Sequence, residues 1–185
     1  TLEKVFNRHL PVGVKIGESW EVADLPNDKS VITNGELAGK TLAAAIQSYP
    51  DEIVGNANFS GPFPLLIKLL DAQDVLSVQV HPDAATCRRM GRPHGPLAGG
   101  EPKTECWYII SAEPGAFIYK GLKKGVTKEQ FVEAVRSGTV ADMLAKVPVE
   151  AGQCHFLPAG TPHSIGAGLL IAEIQTPSDT TYRVF

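Results

Sequence analysis

The sequence of 185 residues has only three cysteines, and they do not cluster. Cys87, Cys106 and Cys154 form no CxxC pair and are odd in number, which argues against a disulfide framework and a thiolate zinc site. No segment approaches the roughly 20 consecutive apolar residues that a membrane-spanning helix needs. No charged segment is followed by the apolar core of a secretion signal. We therefore expect a cytoplasmic protein with reduced thiols and no membrane partner.

A basic stripe is also missing. Lys and Arg number 17 against 20 Asp and Glu, the net charge is −3, and the cations are scattered along the chain. This pattern argues against a nucleic-acid partner, although a few convergent cations could still bind one small phosphorylated ligand. The length suits one well-buried core, so we expect a single domain over residues 1–185. Because the chain stops directly after the strand-like TYRVF, we expect that some native residues are missing at both ends.

Short apolar segments alternate with turns, for which 18 glycines and 14 prolines are available. This pattern favours a mainly β sandwich or barrel with a few short helices. The sequence predicts eight strands: Ser19–Ala23, Leu65–Leu70, Leu76–Val80, Glu105–Ile110, Ala116–Tyr119, His155–Leu157, Leu169–Gln175 and Thr181–Phe185.

Capping signals predict the helices. Thr41 can cap a helix over LAAAIQSY that Pro50 ends, and Thr127-Lys-Glu-Gln130 has the spacing of a capping box for a helix that stops at Gly138. A further short helix is predicted around residues 140–145. The Gly- and Pro-rich segment Arg88–Pro102 is predicted to be a long loop that could close over a ligand.

Polar side chains interrupt several of the predicted strands on one face. Alternation along a strand places Ser77, Gln79 and His81 together, and likewise Lys103, Glu105 and Trp107. In LLIAEIQT the same rule places Glu173 beside Ile171 and Gln175. A buried ion has to be paired or bind a metal, so these faces require a compensating partner.

The segment GQCHFLPAGTPHSIGA contains a turn motif that delivers a histidine. Its spacing G-x5-P-x-G-x2-H resembles the second motif of the cupin barrels, with Ala167 where that motif ends in asparagine; the four matching residues are Gly152, Pro158, Gly160 and His163. The resemblance implies a cupin-type β-barrel, or jelly roll. The first cupin motif has His-x-His and a nearby Glu, whereas here Gln79 replaces the first His and Glu105 comes later.

Five separated segments carry a closer resemblance: GESWEV, PLLIKLLDAQDVLSVQVHPD, GEPKTECWYII, GTPHSIGAGLLIAE and SDTTYRV. Together they resemble the short bacterial form of the type I phosphomannose isomerase family. The resemblance implies a reversible aldose–ketose isomerisation of D-mannose 6-phosphate and D-fructose 6-phosphate through an enediolate. It also implies one divalent ion bound by Gln79, His81, Glu105 and His163.

The residues leave the identity of the metal open. Imidazole, carboxylate and amide ligands without a thiolate fit Zn²⁺ in an open catalytic site and also tolerate Mn²⁺, Fe²⁺ or Co²⁺. Zinc is the metal that the family resemblance implies. A lone histidine on an apolar strand is ordinarily a packed core residue. His9 near the start of the chain, His94 in a Gly/Pro-rich loop and His155 as a support for the strand before the turn are not expected to be ligands.

The reaction needs a base that serves two neighbouring carbons and a group that stabilises negative charge on oxygen. Lys103 and Glu173 are the candidate bases, and the sequence does not rank them. Arg183, in the segment that resembles the family's catalytic arginine, would hold charge on the enediolate or on the phosphate. The resemblance places Lys68 and Ser77 at the phosphate end of the substrate.

Two other function classes remain open at this point. A non-catalytic cupin would bind a sugar without turning it over, and a metallo-cupin dioxygenase would consume oxygen. Several histidines around Fe²⁺ are typical of the latter, and Gln79 argues against that arrangement. The oligomeric state does not follow from the sequence.

Overall fold

The computed structural model describes residues 2–55, 61–90 and 100–185. Within these ranges, ten strands form two antiparallel five-stranded sheets. The strands are β1 (Glu18–Val22), β2 (Leu66–Ala72), β3 (Gln79–Val80), β4 (Glu105–Ala112), β5 (Phe117–Leu122), β6 (Leu144–Pro148), β7 (Cys154–Leu157), β8 (His163–Ile165), β9 (Leu169–Gln175) and β10 (Tyr182–Arg183).

The two sheets have the orders β1-β2-β9-β4-β7 and β10-β3-β8-β5-β6. The main hydrophobic core contains side chains from both, including Trp107, Ile109 and Ile171 from the first sheet and Ile118 and Ile165 from the second. Alternation gives each strand one apolar face, and these faces are buried against each other. The predicted mainly β fold is confirmed.

The described residues also form five short α-helices and one 3₁₀ helix, of which α1 precedes β1 and the others lie between strands: α1 (Leu2–Phe6), α2 (Leu42–Ser48), α3 (Pro50–Val54), α4 (Ala84–Met90), α5 (Lys128–Ser137) and the 3₁₀ helix Val140–Met143. The capping box before α5 is confirmed, since Thr127 and Gln130 each bond the other's backbone. Gly138 ends α5 with φ at 75°, a left-handed conformation that glycine adopts without strain. Within the described residues, no helix has the length and apolar content needed to cross a membrane.

Several predicted boundaries were wrong. The strand predicted over Leu76–Val80 is reduced to two residues, Gln79–Val80. Pro50 occupies the first turn of α3 instead of only ending α2, a position where its missing N–H costs nothing. Residues 144 and 145 belong to strand β6, so the helix predicted over 140–145 stops at Met143.

The long loop predicted over Arg88–Pro102 is partly helical. Arg88, Arg89 and Met90 form the end of α4, which includes the first three residues assigned to the loop. Residues 91–99, and His94 with them, lie outside the described residues. The prediction that this segment closes over a ligand therefore stays a prediction.

Gly166 connects β8 to β9 where backbone atoms approach closely. Its N–H donates to the carbonyl of Phe117 at 3.0 Å, and a Cβ at this position would lie well inside contact distance of that same oxygen. Because a backbone carbonyl cannot rotate aside, we expect Gly166→Ala to lower the free energy of unfolding by about 1–3 kcal/mol. Urea unfolding measures this change in the free energy of unfolding. Gly17→Ala is the matched control, since a Cβ there meets nothing within 4 Å; equal effects of the two substitutions would contradict the expectation.

Candidate metal centre and active site

A cavity of about 250 Å³ lies between the inner faces of the two sheets. Its wall contains eight of the nine predicted site residues: Lys68, Ser77, Gln79, Lys103, Glu105, His163, Glu173 and Arg183. The ninth, His81, is 3% exposed and lies against Glu105. The structure thus brings together residues from six strands and from the segments that adjoin them.

Two imidazoles converge on one carboxylate at the base of this cavity. Nε2 of His81 lies 3.1 Å from Oε1 of Glu105, and Nε2 of His163 lies 3.5 Å from Oε2. The ligand atoms of the three residues all lie within 4.8 Å of one another, and all three side chains are buried. Glu105 begins β4 and His163 begins β8, so the two sheets meet at this cluster.

The hydrogen bonds of the two rings determine which nitrogen faces Glu105. Nδ1 of His81 lies 3.0 Å from the carbonyl of Thr180, and Nδ1 of His163 lies 2.8 Å from the carbonyl of Thr161. A carbonyl only accepts, so each Nδ1 carries a proton and donates it. In a neutral ring, Nε2 then presents a lone pair to the carboxylate.

That arrangement has the chemistry of a cation site. Nε2 of His81 and Oε2 of Glu105 are buried and have no hydrogen-bond partner among the described residues. Burial also lowers the pKa of His163, which favours its neutral, ligating form. Lone pairs and a carboxylate that face one another without a donor repel, and a divalent cation among them would remove the repulsion. The residues therefore fit a metal ion.

Gln79 lies next to this cluster. Its Cα is the register partner of His163 between β3 and β8, which places both side chains on the same face. Its amide nitrogen donates to Oγ of Ser77 at 3.2 Å. This bond leaves the amide oxygen, the ligand atom of a carboxamide, available.

Lys103 joins the two buried carboxylates. Its Nζ lies 2.6 Å from Oε1 of Glu105 and 4.0 Å from Oε1 of Glu173. Burial alone would raise the pKa of Glu105, but the positive charge of Lys103 and the contacts with His81 and His163 in their protonated form outweigh it and hold that pKa at about 2. Glu105 is therefore ionised at neutral pH, and Lys103 is engaged in its ion pair.

Glu173 has the opposite electrostatic environment. Burial, followed by the negative charge of Glu105, raises the pKa of Glu173 to about 7, although Lys103, Lys68 and the Trp107 hydrogen bond act in the other direction. A carboxyl group with a pKa near neutrality can both accept and return a proton at working pH.

Lys68 is a buried cation in the middle of the first sheet. It is 5% exposed on β2, between β1 and β9, so it does not extend to solvent from an edge. Its Nζ lies 3.7 Å from Asp179 and 4.3 Å from the ring centroid of Trp20. Arg183 on β10 is exposed and also lines the cavity.

The sequence interpretation assigned no role to five further residues of the cavity wall: Glu18, Trp20, Trp107, Asp179 and Thr181. Signals for some of them were present. Trp107 shares a strand face with Lys103 and Glu105, and the GESWEV segment contains Glu18 and Trp20. Contact of Asp179 with Lys68, 111 positions away, had no sequence signal.

A model of a protein family, described as the catalytic domain of type I phosphomannose isomerase, matches residues 2–94, half of the chain. The chain belongs to the type I phosphomannose isomerase family. The mannose-6-phosphate isomerase of Streptococcus mutans serotype c, one of its relatives, is 42% identical over 184 residues. That alignment covers 100% of this chain and 55% of the relative, so the chain spans about half of that relative's length.

Solved structures in the phosphomannose isomerase family have the same architecture. The crystal structure of mannose 6-phosphate isomerase from Bacillus subtilis aligns with a TM-score of 0.84 at 33% identity, covering 100% of this chain and 55% of that one. A zinc-bound mannose 6-phosphate isomerase aligns with a TM-score of 0.71 at 17% identity over 100% of this chain and 66% of that one, which shows a shared fold. The expected cupin-type fold is confirmed.

Proposed function

We propose that this chain carries the active site of a metal-dependent isomerase that interconverts D-mannose 6-phosphate and D-fructose 6-phosphate. The observation that best supports this proposal is the position of Glu173, whose pKa is raised to about 7. Glu173 lines the same cavity as the candidate metal ligands Glu105 and His163 and as three cationic side chains. Membership of the phosphomannose isomerase family and the names of the relatives support the same reaction. The substrate is a small sugar phosphate, and all the catalytic groups belong to one domain, residues 1–185.

Gln79, His81, Glu105 and His163 are the proposed ligands of one Zn²⁺ ion. Nitrogen and oxygen donors without thiolate suit zinc in a catalytic site, and zinc is bound in a structural neighbour. When bound, the ion would act as a Lewis acid that stabilises negative charge on the oxygens of the substrate. The carbonyls of Thr180 and Thr161 keep the two imidazoles in the ligating tautomer.

Glu173 is the proposed base. As a carboxylate it removes a proton from the carbon next to the carbonyl, and as a carboxylic acid it returns that proton to the neighbouring carbon. The hydroxyl proton of the first carbon passes to the former carbonyl oxygen in the enediolate, which completes the isomerisation. Lys103 is less suited to this role, because its ammonium group is held against Glu105 at 2.6 Å. It instead provides positive charge close to Glu173, on the side where an enediolate oxygen would form.

Cations at the cavity wall are the proposed phosphate and enediolate partners. Arg183 is exposed at the wall, and its rigid donor fork suits an anionic oxygen pair. Lys68 is tethered by Asp179 and Trp20, and Ser77 accepts from Gln79, so both are held in place for a substrate oxygen. We also propose a cytoplasmic location, which the free state of Cys87, Cys106 and Cys154 supports.

The activity test combines turnover with metal content. Purified chain supplied with Zn²⁺ and mannose 6-phosphate under anaerobic conditions is expected to form fructose 6-phosphate. Turnover without oxygen excludes a dioxygenase, and the absence of turnover would contradict the proposal and favour a binding module.

The metal ligand test uses His163→Ala. Since loss of groups that only support a ligand costs about 10- to 100-fold, removal of a ligand itself is expected to lower activity more than about 100-fold and to lower bound zinc. Elemental analysis measures the zinc. His9→Ala, an exposed histidine, is the matched control and is expected to retain both. Lost activity with full zinc content in His163→Ala would contradict the ligand assignment.

A further inference from the structure

Trp107 occupies the centre of the site without belonging to the metal cluster. It is 1% exposed in the middle of β4, and its Cα is the register partner of Glu173 on β9. Its indole Nε1–H donates to Oε2 of Glu173 at 3.0 Å, and both groups are buried. The pairing of β4 with β9 therefore places the two side chains close enough for this hydrogen bond.

The bond restricts how Glu173 can carry a proton. An indole N–H is a donor only and does not titrate, so Oε2 is occupied as an acceptor whatever the protonation state. Oε2 keeps a second lone pair, but the carbonyl-type oxygen of a carboxylic acid is the better acceptor, so the indole bond favours the acid proton on Oε1, the oxygen nearer Lys103.

Other groups around Glu173 act on its charge and not on its orientation. Lys68 faces it from β2, Lys103 precedes β4, and Glu105 lies at the start of β4. Lys103 is 4.0 Å away, beyond hydrogen-bonding distance. Within the described part of the chain, the indole N–H supplies the short directional contact to the Glu173 carboxyl group.

The same indole also contacts the metal cluster. Its ring meets the imidazole of His163 edge-on, with ring centroids 5.4 Å apart and an interplanar angle of 81°. One rigid side chain thus touches both the base and a ligand, which relates the position of Glu173 to that of the cluster.

We propose that Trp107 is a positioning residue that orients Glu173 so that Oε1 alone exchanges the proton with the substrate. This inference rests on the proposed isomerase function. Fixing the base in its productive geometry matters because a misplacement of about 1 Å can lower a rate about 100-fold.

The kinetic test is Trp107→Phe, which retains an aromatic ring and removes the N–H. We expect kcat to fall about 10- to 100-fold, as for loss of a hydrogen bond to a charged group, with KM and zinc content close to those of the wild type. Tyr108→Phe is the matched control, because Tyr108 is the next residue of β4, is 42% exposed and points to the outer face. It is expected to leave kcat unchanged.

A second measurement, on zinc-free protein, does not depend on activity. The chain has two tryptophans, so a ¹H–¹⁵N spectrum shows two indole signals, and Trp20→Phe assigns them by removing one. Glu173→Gln replaces a charged acceptor by a weaker neutral one, so the Trp107 signal is expected to move upfield and its N–H to exchange faster. The Trp20 signal, from an N–H that donates to Glu18, is expected to stay in place.

The outcomes are separable. A Trp107→Phe enzyme with wild-type kcat overturns the inference and leaves the isomerase function standing. Wild-type chain without isomerase activity overturns the proposed function and the positioning role of Trp107 in it. If Trp107→Phe fails to fold, the spectrum of Glu173→Gln decides: a shifted Trp107 signal supports the positioning contact, and an unshifted one overturns it.

Discussion

Replacing Glu173 with Gln is expected to lower kcat about 10²- to 10⁴-fold, the usual contribution of a positioned general base, while zinc content stays at the wild-type level. Glutamine has the same shape and its oxygen can accept from Trp107, but it cannot take up a proton. The loss therefore reports the proton transfer and not the packing. Initial rates of fructose 6-phosphate formation, with zinc measured on the same samples, test this.

The pH dependence gives a second readout of the same residue. Glu173 acts as a base when ionised, and its pKa is raised to about 7. Activity of the wild type should therefore fall as pH decreases through about 7, instead of falling near the ordinary carboxyl value of 4.5. Glu173→Gln should lack this acid limb in its residual activity.

Glu36→Gln is the control for Glu173→Gln, since Glu36 is exposed and outside the cavity wall. It is expected to behave as the wild type. A Glu173→Gln enzyme with near-normal kcat would show that another group, Lys103 being the first candidate, moves the proton.

The second large effect is expected for Glu105→Gln, in both metal binding and stability. Glu105 contacts both imidazoles and is the close anionic partner of Lys103, so the amide weakens the ligand set and leaves a buried ammonium poorly compensated. Breaking a buried ion pair by removing one partner costs about 3–5 kcal/mol. We expect a loss of that size in the free energy of unfolding of zinc-free protein, measured in urea, and a large loss of bound zinc.

Glu150→Gln is the control for Glu105→Gln, because Glu150 is an exposed glutamate between β6 and β7. Unchanged zinc content and an unchanged unfolding free energy in Glu105→Gln would contradict the metal centre as assigned. A drop in stability with full zinc content would show that Glu105 stabilises the fold through its ion pair with Lys103 and is not a zinc ligand.

Elements with strong local signals were predictable. The strand Leu169–Gln175 was predicted with its observed bounds, and the capping box at Thr127 and the stop at Gly138 both hold. In each case the deciding interactions lie within a few residues of one another, so the sequence contains them directly.

Elements that depend on distant partners were missed or misplaced. The strands β6 and β8 are short and were not predicted as strands, and they exist because β5 pairs with both. The strand predicted over Leu76–Val80 kept its backbone bonds at Leu76 and Val78 to residues 165 and 185, but only two residues pair regularly enough to form β3. Tertiary pairing overrides local propensity in such short segments.

Alternation along a strand is enough to predict which side chains share a face: it places Gln79 with His81, and Lys103 with Glu105 and Trp107. How those faces meet depends on the folded arrangement of the strands. It placed Glu173 beside a second carboxylate and under the Trp107 N–H, because strand order, which brings β9 between β2 and β4, is not encoded locally. The raised pKa of Glu173 follows from that arrangement, since burial and neighbouring charge depend on distances in space and not on positions along the chain.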